Sequence, residues 1–114
     1  MLFQQGNLQV FIFQKTIDMR CGFTKLTAFV KSSHGMQVLL DGHVFVFFGR
    51  NRQRLKILLF DGSGLILMTK RIETGRFMWL QELESSSVSF SELEQLLHGS
   101  VLRRGKLSSM PKSA

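Results

Sequence analysis

Gly42 to Trp79 reads GHVFVFFGRNRQRLKILLFDGSGLILMTKRIETGRFMW, three apolar runs of strand-like composition joined by two short turns. In Val44 to Phe48 both alternating sets are apolar, Val44, Val46 and Phe48 on one side and Phe45 and Phe47 on the other, which predicts a central strand covered on both faces. Leu55 to Phe60 and Leu65 to Thr69 read the same way, interrupted near their ends by Lys56 and Lys70. Lys56 shares a face with Leu58 and Phe60 and is expected at the sheet rim, its ammonium in water. The joints carry the distinctive chemistry. Arg50-Asn51-Arg52-Gln53-Arg54 gathers three guanidinium groups at one hairpin tip, and Asp61-Gly62-Ser63-Gly64 supplies glycines for the positive φ angles of a tight reversal.

Working outward toward the amino terminus, Leu8 to Phe13 (LQVFIF) predicts a strand. Phe23, Leu26, Phe29 and Val30 then fall at helical spacing, which predicts the main helix over Phe23 to Val30, capped by Thr16 or Asp18 and ended by Ser32 to Gly35. Met36 to Asp41 reads as a connector. Beyond Lys70-Arg71, Gly75 implies another reversal before a short edge strand through Trp79, and Gln81 to Ser87 reads as a polar linker. A short helix is expected from about Ser91 to Leu97. Ser89 or Ser91 would cap it, Leu93, Leu96 and Leu97 lie on one side, and Glu92 and Glu94 favour the positive end of its dipole. Gly99 suits its end. The organisation expected is a small α+β single domain over 1–102, an antiparallel β-meander with one main helix before it and a short helix after it. A basic, disordered tail over 103–114 would follow.

Fifteen Lys and Arg against eight Asp and Glu give +7 at neutral pH, a balance that favours nucleic acid or another polyanion as partner. The charge is unevenly placed. Residues 50–76 hold seven basic and two acidic side chains, net +5, whereas 77–100 hold four glutamates and no Lys or Arg. No apolar run is long enough to span a bilayer, the amino terminus lacks the pattern of a signal peptide, and the one cysteine, Cys21, forms no internal disulfide. A cytoplasmic protein is expected.

Catalysis has little to work with. His34, His43 and His98 lie far apart and, with one cysteine, make no zinc spacing, so no metal and no cofactor are expected. A two-metal nuclease centre would require Asp18, Asp61 and Glu73 to meet. Each has a simpler role, Asp61 as a turn former, Asp18 as a cap or partner of Arg20, and Glu73 in a surface ion pair. Asp61-Gly-Ser-Gly is not a phosphate loop, because a strand rather than a helix follows it. The basic cluster is the positive signal. Arginines at a hairpin tip form paired hydrogen bonds with phosphate oxygens, although a solvated hairpin also carries Arg and Lys simply to prevent edge pairing.

Several blocks, in order, carry a resemblance: Asp18-Met19-Arg20, Gly42-His43-Val44-Phe45-Val46-Phe47, Gly49-Arg50, Arg54-Leu55-Lys56-Ile57-Leu58, Asp61-Gly62-Ser63-Gly64, and Lys70-Arg71-Ile72-Glu73-Thr74-Gly75-Arg76-Phe77 with Trp79. From about Val10 to His98 the chain resembles the small TnpB-type accessory protein of the insertion-sequence family numbered sixty-six, encoded beside a separate transposase. It departs in places. Ile17 and Cys21 flank the first block where the family has Thr and Lys, and Arg52-Gln53 stands where the family often has Gly-Asp. Leu59-Phe60 replaces an aromatic pair, and Trp79-Leu80 replaces Trp-Pro. The resemblance implies a role in transposition beside a transposase, and no catalytic residues come with it.

The expectation is therefore a non-catalytic accessory protein that binds DNA through Arg50, Arg52, Arg54, Lys56, Lys70, Arg71 and Arg76, with the transposase as second partner and no membrane. The alternative is an adaptor whose meander or acidic second helix docks on the transposase without touching DNA.

Overall fold

The computed structural model describes residues 8–77, 87–98, 101–103 and 106–108. The elements are β1 (Val10–Ile12), α1 (Phe23–Ser33), α2 (Met36–Leu40), β2 (Val44–Phe48), β3 (Arg54–Phe60), β4 (Leu65–Arg71), β5 (Ser87–Val88), α3 (Phe90–Leu97), β6 (Val101–Arg103) and β7 (Lys106–Ser108). The α+β architecture expected from the sequence is the one found. One sheet runs β4-β3-β2-β1-β5, so β2 is its central strand. β2, β3 and β4 form the antiparallel meander, while β1 lies parallel to β2 with Val10 opposite Val44 and Ile12 opposite Val46. Parallel neighbours need a crossover, and α1 and α2 supply it.

The period-two alternation of the strands divides the core into two halves. Val10, Ile12, Val44, Val46, Phe48, Leu55, Ile57 and Leu59 form one apolar face, against which Leu93, Phe90 and Leu97 of α3 and the buried Phe77 pack. Phe45, Phe47 and Leu58 form the other, covered by Leu26 and Val30 of α1, Leu39 of α2 and Ile17. Every residue of β2 is buried, as a run apolar on both sides requires.

β4 departs from that expectation. It is an edge strand with no fully buried residue, and Met68 to Arg71 are exposed. Lys56 departs as well. It lies on the face covered by α1 and α2, where its ammonium donates to the Cys21 carbonyl at 2.6 Å instead of ending in water.

The turns follow their chemistry. Asp61 Oδ1 accepts from the Ser63 and Gly64 N–H groups at 2.8 and 2.9 Å, and those donors hold its carboxyl below the usual carboxylate range. α1 begins at Gly22 without a side-chain cap; Asp18 instead accepts the Arg20 N–H at 2.8 Å. α2 occupies the expected connector, bracketed by Gly35 and Gly42 at φ 90° and 93°. At α3, Ser89 Oγ accepts the Glu92 N–H at 3.1 Å and Glu92 Oε1 accepts the Ser89 N–H at 3.0 Å, a reciprocal capping box.

Residues 72–77 form no strand; the rest of the expected edge strand, the linker up to Ser86 and Gly99 lie outside the described residues. Lys106–Ser108, placed by the sequence in an unstructured tail, pairs antiparallel with Val101–Arg103.

Candidate nucleic-acid interface

The basic residues are positioned by the tip of the β2–β3 hairpin. The Gly49 N–H donates to the Arg54 carbonyl at 2.9 Å and the Arg52 N–H to the Gly49 carbonyl at 3.0 Å, closing a tight loop. Arg52 takes φ 57°, the left-handed region that favours glycine, which is the residue the resembling family often carries there. For an L side chain this geometry costs about 1 kcal/mol or somewhat more. Arg52→Gly is therefore expected to leave the protein as stable or more stable, and Arg52→Val to lower stability by more than about 1 kcal/mol, as urea denaturation would show.

Two distant segments close on this tip. Ile17 bridges Gly49, and its N–H donates to the Phe48 carbonyl at 2.8 Å, which carries Asp18 and Met19 alongside the hairpin. Gly49 allows the approach, since a Cβ there would sit 2.9 Å from Met19 Cγ. On the other side the Ile72 N–H donates to the Gln53 carbonyl at 2.8 Å and the Phe77 N–H to the Arg52 carbonyl at 2.7 Å. The buried Phe77 ring lies 5.9 Å from Phe48, anchoring the segment.

The result is an open cleft of about 740 Å³, lined by Ile17, Asp18, Met19, Arg50, Asn51, Gln53, Arg54, Arg71, Ile72 and Glu73. Arg54 and Arg71 are register partners across β3 and β4, a like-charge pair directly opposed on one face. Such a pair destabilises a sheet unless an anion sits nearby. Glu73 answers Arg71, Oε2 accepting from Nε at 2.9 Å, whereas the guanidinium groups of Arg50 and Arg54 make no hydrogen bond or ion pair among the described residues. Asp18 accepts from the Arg20 guanidinium at 2.6 to 3.1 Å. Those hydrogen bonds, with attraction from Arg50, hold its carboxyl well below the usual carboxylate range, so it is an anion at any physiological pH.

Of the seven basic residues expected to act together, Arg50, Arg54 and Arg71 share the cleft. Arg52 is half-buried at the tip, and Lys56 is engaged with Cys21. Lys70, opposite Leu55, projects from the other face of the sheet, and Arg76 is exposed on the following loop. Sequence reasoning missed Ile17, Asp18, Met19 and Ile72 as cleft residues. The signal is the Asp18-Met19-Arg20 block, legible as part of the resemblance, in which the sequence reads Asp18 as a helix cap or a partner of Arg20; the pairing with Arg20 is the one found.

The arrangement presents guanidinium donors in one cleft and is poorly suited to acid–base work, because both cleft carboxylates are tied to arginines. Asp61, needed for a nuclease triad, sits beyond the opposite end of β3, and among the described residues no three His, Cys, Asp or Glu side chains gather to hold a metal. No helix among them is long and apolar enough to cross a membrane.

The chain is similar to protein y4hO of Sinorhizobium fredii, 40% identical over 94 residues that cover 82% of this chain and 81% of that one. It is also similar to y4jC of the same organism, 36% identical over 75 residues covering 63% and 61%. Neither printed name states an activity. No solved structure matches the chain. The family model described as IS66 Orf2 like protein matches residues 8–106, so the chain belongs to the IS66 Orf2-like family of transposition-associated accessory proteins.

Proposed function

We propose that this protein is a non-catalytic accessory factor of DNA transposition that holds DNA phosphates at the cleft between the hairpin tip and the Asp18–Met19 segment, beside a separate transposase in the cytoplasm. Arg54 set directly against Arg71, with the unpaired Arg50 in the same cleft, is the observation that carries this reading. A bound phosphate would relieve the repulsion and satisfy guanidinium donors in paired hydrogen bonds. Family membership supports the setting in transposition. The competing adaptor role finds less surface on α3 than its sequence promised, since Leu93 is 5% exposed and Leu97 packs against the core.

Anisotropy titrations with element-end and random duplexes test the proposal. Binding at low salt should weaken steeply as salt rises, with a log–log slope of roughly −0.9 for each phosphate contacted. No binding to either duplex at low salt would overturn it.

A further inference from the structure

The cleft has more chemistry than a phosphate clamp uses. Its lining also includes the half-buried Met19 and Ile72, the buried Ile17 behind them, and the exposed Asn51 and Gln53. Its volume of about 740 Å³ lies in the range of sites that enclose small organic ligands. The lining charge is three arginines against two carboxylates, net +1, which balances a single phosphodiester.

A duplex backbone laid across this surface would bring successive phosphates near Asp18 and Glu73 and make no use of the exposed parts of Met19 and Ile72. An unpaired nucleotide meets each element. Its phosphate takes Arg50 and Arg54, its base lies on the half-buried Met19 and Ile72, and its polar edge faces the amides, groups of the kind that read base edges. Asn51 Oδ1 already accepts the Gln53 N–H at 3.3 Å, and Asn51 Nδ2 donates to Gln53 Oε1 at 3.3 Å. The two side chains are thus held as a pair in the cleft lining, with the Gln53 Nε2 donors unpaired among the described residues and available to a base.

We infer that the cleft takes one unpaired DNA nucleotide, at a strand end or in an overhang, in preference to the continuous duplex. The inference rests on the DNA-binding reading above and narrows its ligand.

Competition anisotropy on the full chain tests it, using a short single strand, the same sequence as a blunt duplex, and that duplex with a single-stranded overhang. The single strand and the overhang should compete about tenfold better than the blunt duplex, a margin that burying about 60 Å² of base surface on Met19 and Ile72 supplies. The double variant Asn51→Ala, Gln53→Ala, whose side chains are exposed, should lose most of that preference with an unchanged circular-dichroism spectrum. Equal affinity for blunt and single-stranded DNA would overturn the inference and leave the DNA-binding reading standing. A preference that survives the double variant would overturn the assignment to this cleft, and absence of binding to all three probes would overturn both.

Discussion

Replacing Arg50, Arg54 and Arg71 together with glutamine is expected to weaken DNA binding by roughly 100-fold or more at low salt, because charge-assisted guanidinium–phosphate bonds are among the strongest polar contacts available. The salt dependence should flatten in parallel, its slope falling by roughly 0.7 to 0.9 for each contact removed. Stability should barely move. Losing the Arg54–Arg71 opposition relieves about 0.2–1 kcal/mol. Losing the Arg71–Glu73 pair, whose side chains are 61% and 73% exposed, costs about as little. A thermal midpoint within a few degrees of the parent would therefore show that binding, and not folding, was lost. Lys70→Gln, on the opposite face of β4, serves as the control and should change affinity far less. A triple variant that binds as the parent does would remove the cleft as the site of contact.

Phe45→Ala should be the most damaging single change in the core. Phe45 is fully buried at the centre of β2, its ring stacked 5.3 Å from Phe11 and edge-on 5.2 Å from His34. The same enclosure lowers the His34 pKa, because burial disfavours the imidazolium. Truncation removes the ring and leaves a cavity between the sheet and α1–α2, a loss of about 3–5 kcal/mol. Against a total stability of about 5–15 kcal/mol, that leaves the domain marginal or unfolded at room temperature. Urea denaturation would measure it, with Phe23→Ala in α1, where the ring is 47% exposed, changing stability by under about 0.5 kcal/mol. An unchanged midpoint for Phe45→Ala would mean that β2 is not the centre of the core.

The meander was legible because β2 is apolar on both sides and the Asp61 turn has only one economical geometry. β4 was misjudged for a physical reason. Apolar runs report hydrophobicity, but whether a strand is central or marginal depends on strand order, which is set by where β1 docks. That docking is invisible locally, since Val10 and Val44 meet across the whole α1–α2 crossover. α2 escaped notice because five residues, Met36–Leu40, are too few to show a helical period and its N-cap, Gly35, makes no side-chain cap bond. In the site, the arginine tip was readable from its turn. The facing wall was not, because only the backbone pairing of Ile17 with Phe48 and Gly49 brings Asp18 and Met19 there.

The edge position of β4 sets a condition on handling the protein. Along its outer side, alternate residues of this proline-free strand, which includes Leu65, Ile66, Leu67 and Met68, present backbone donors and acceptors that no strand pairs among the described residues. Such an edge recruits strands from other molecules unless charge keeps them apart, and Lys70 and Arg71 are the two cations on this strand that do so. Colloidal solubility and anion binding thus both draw on Arg71. Alanine at 70 or 71 should promote concentration-dependent precipitation, whereas glutamine or glutamate keeps the edge polar.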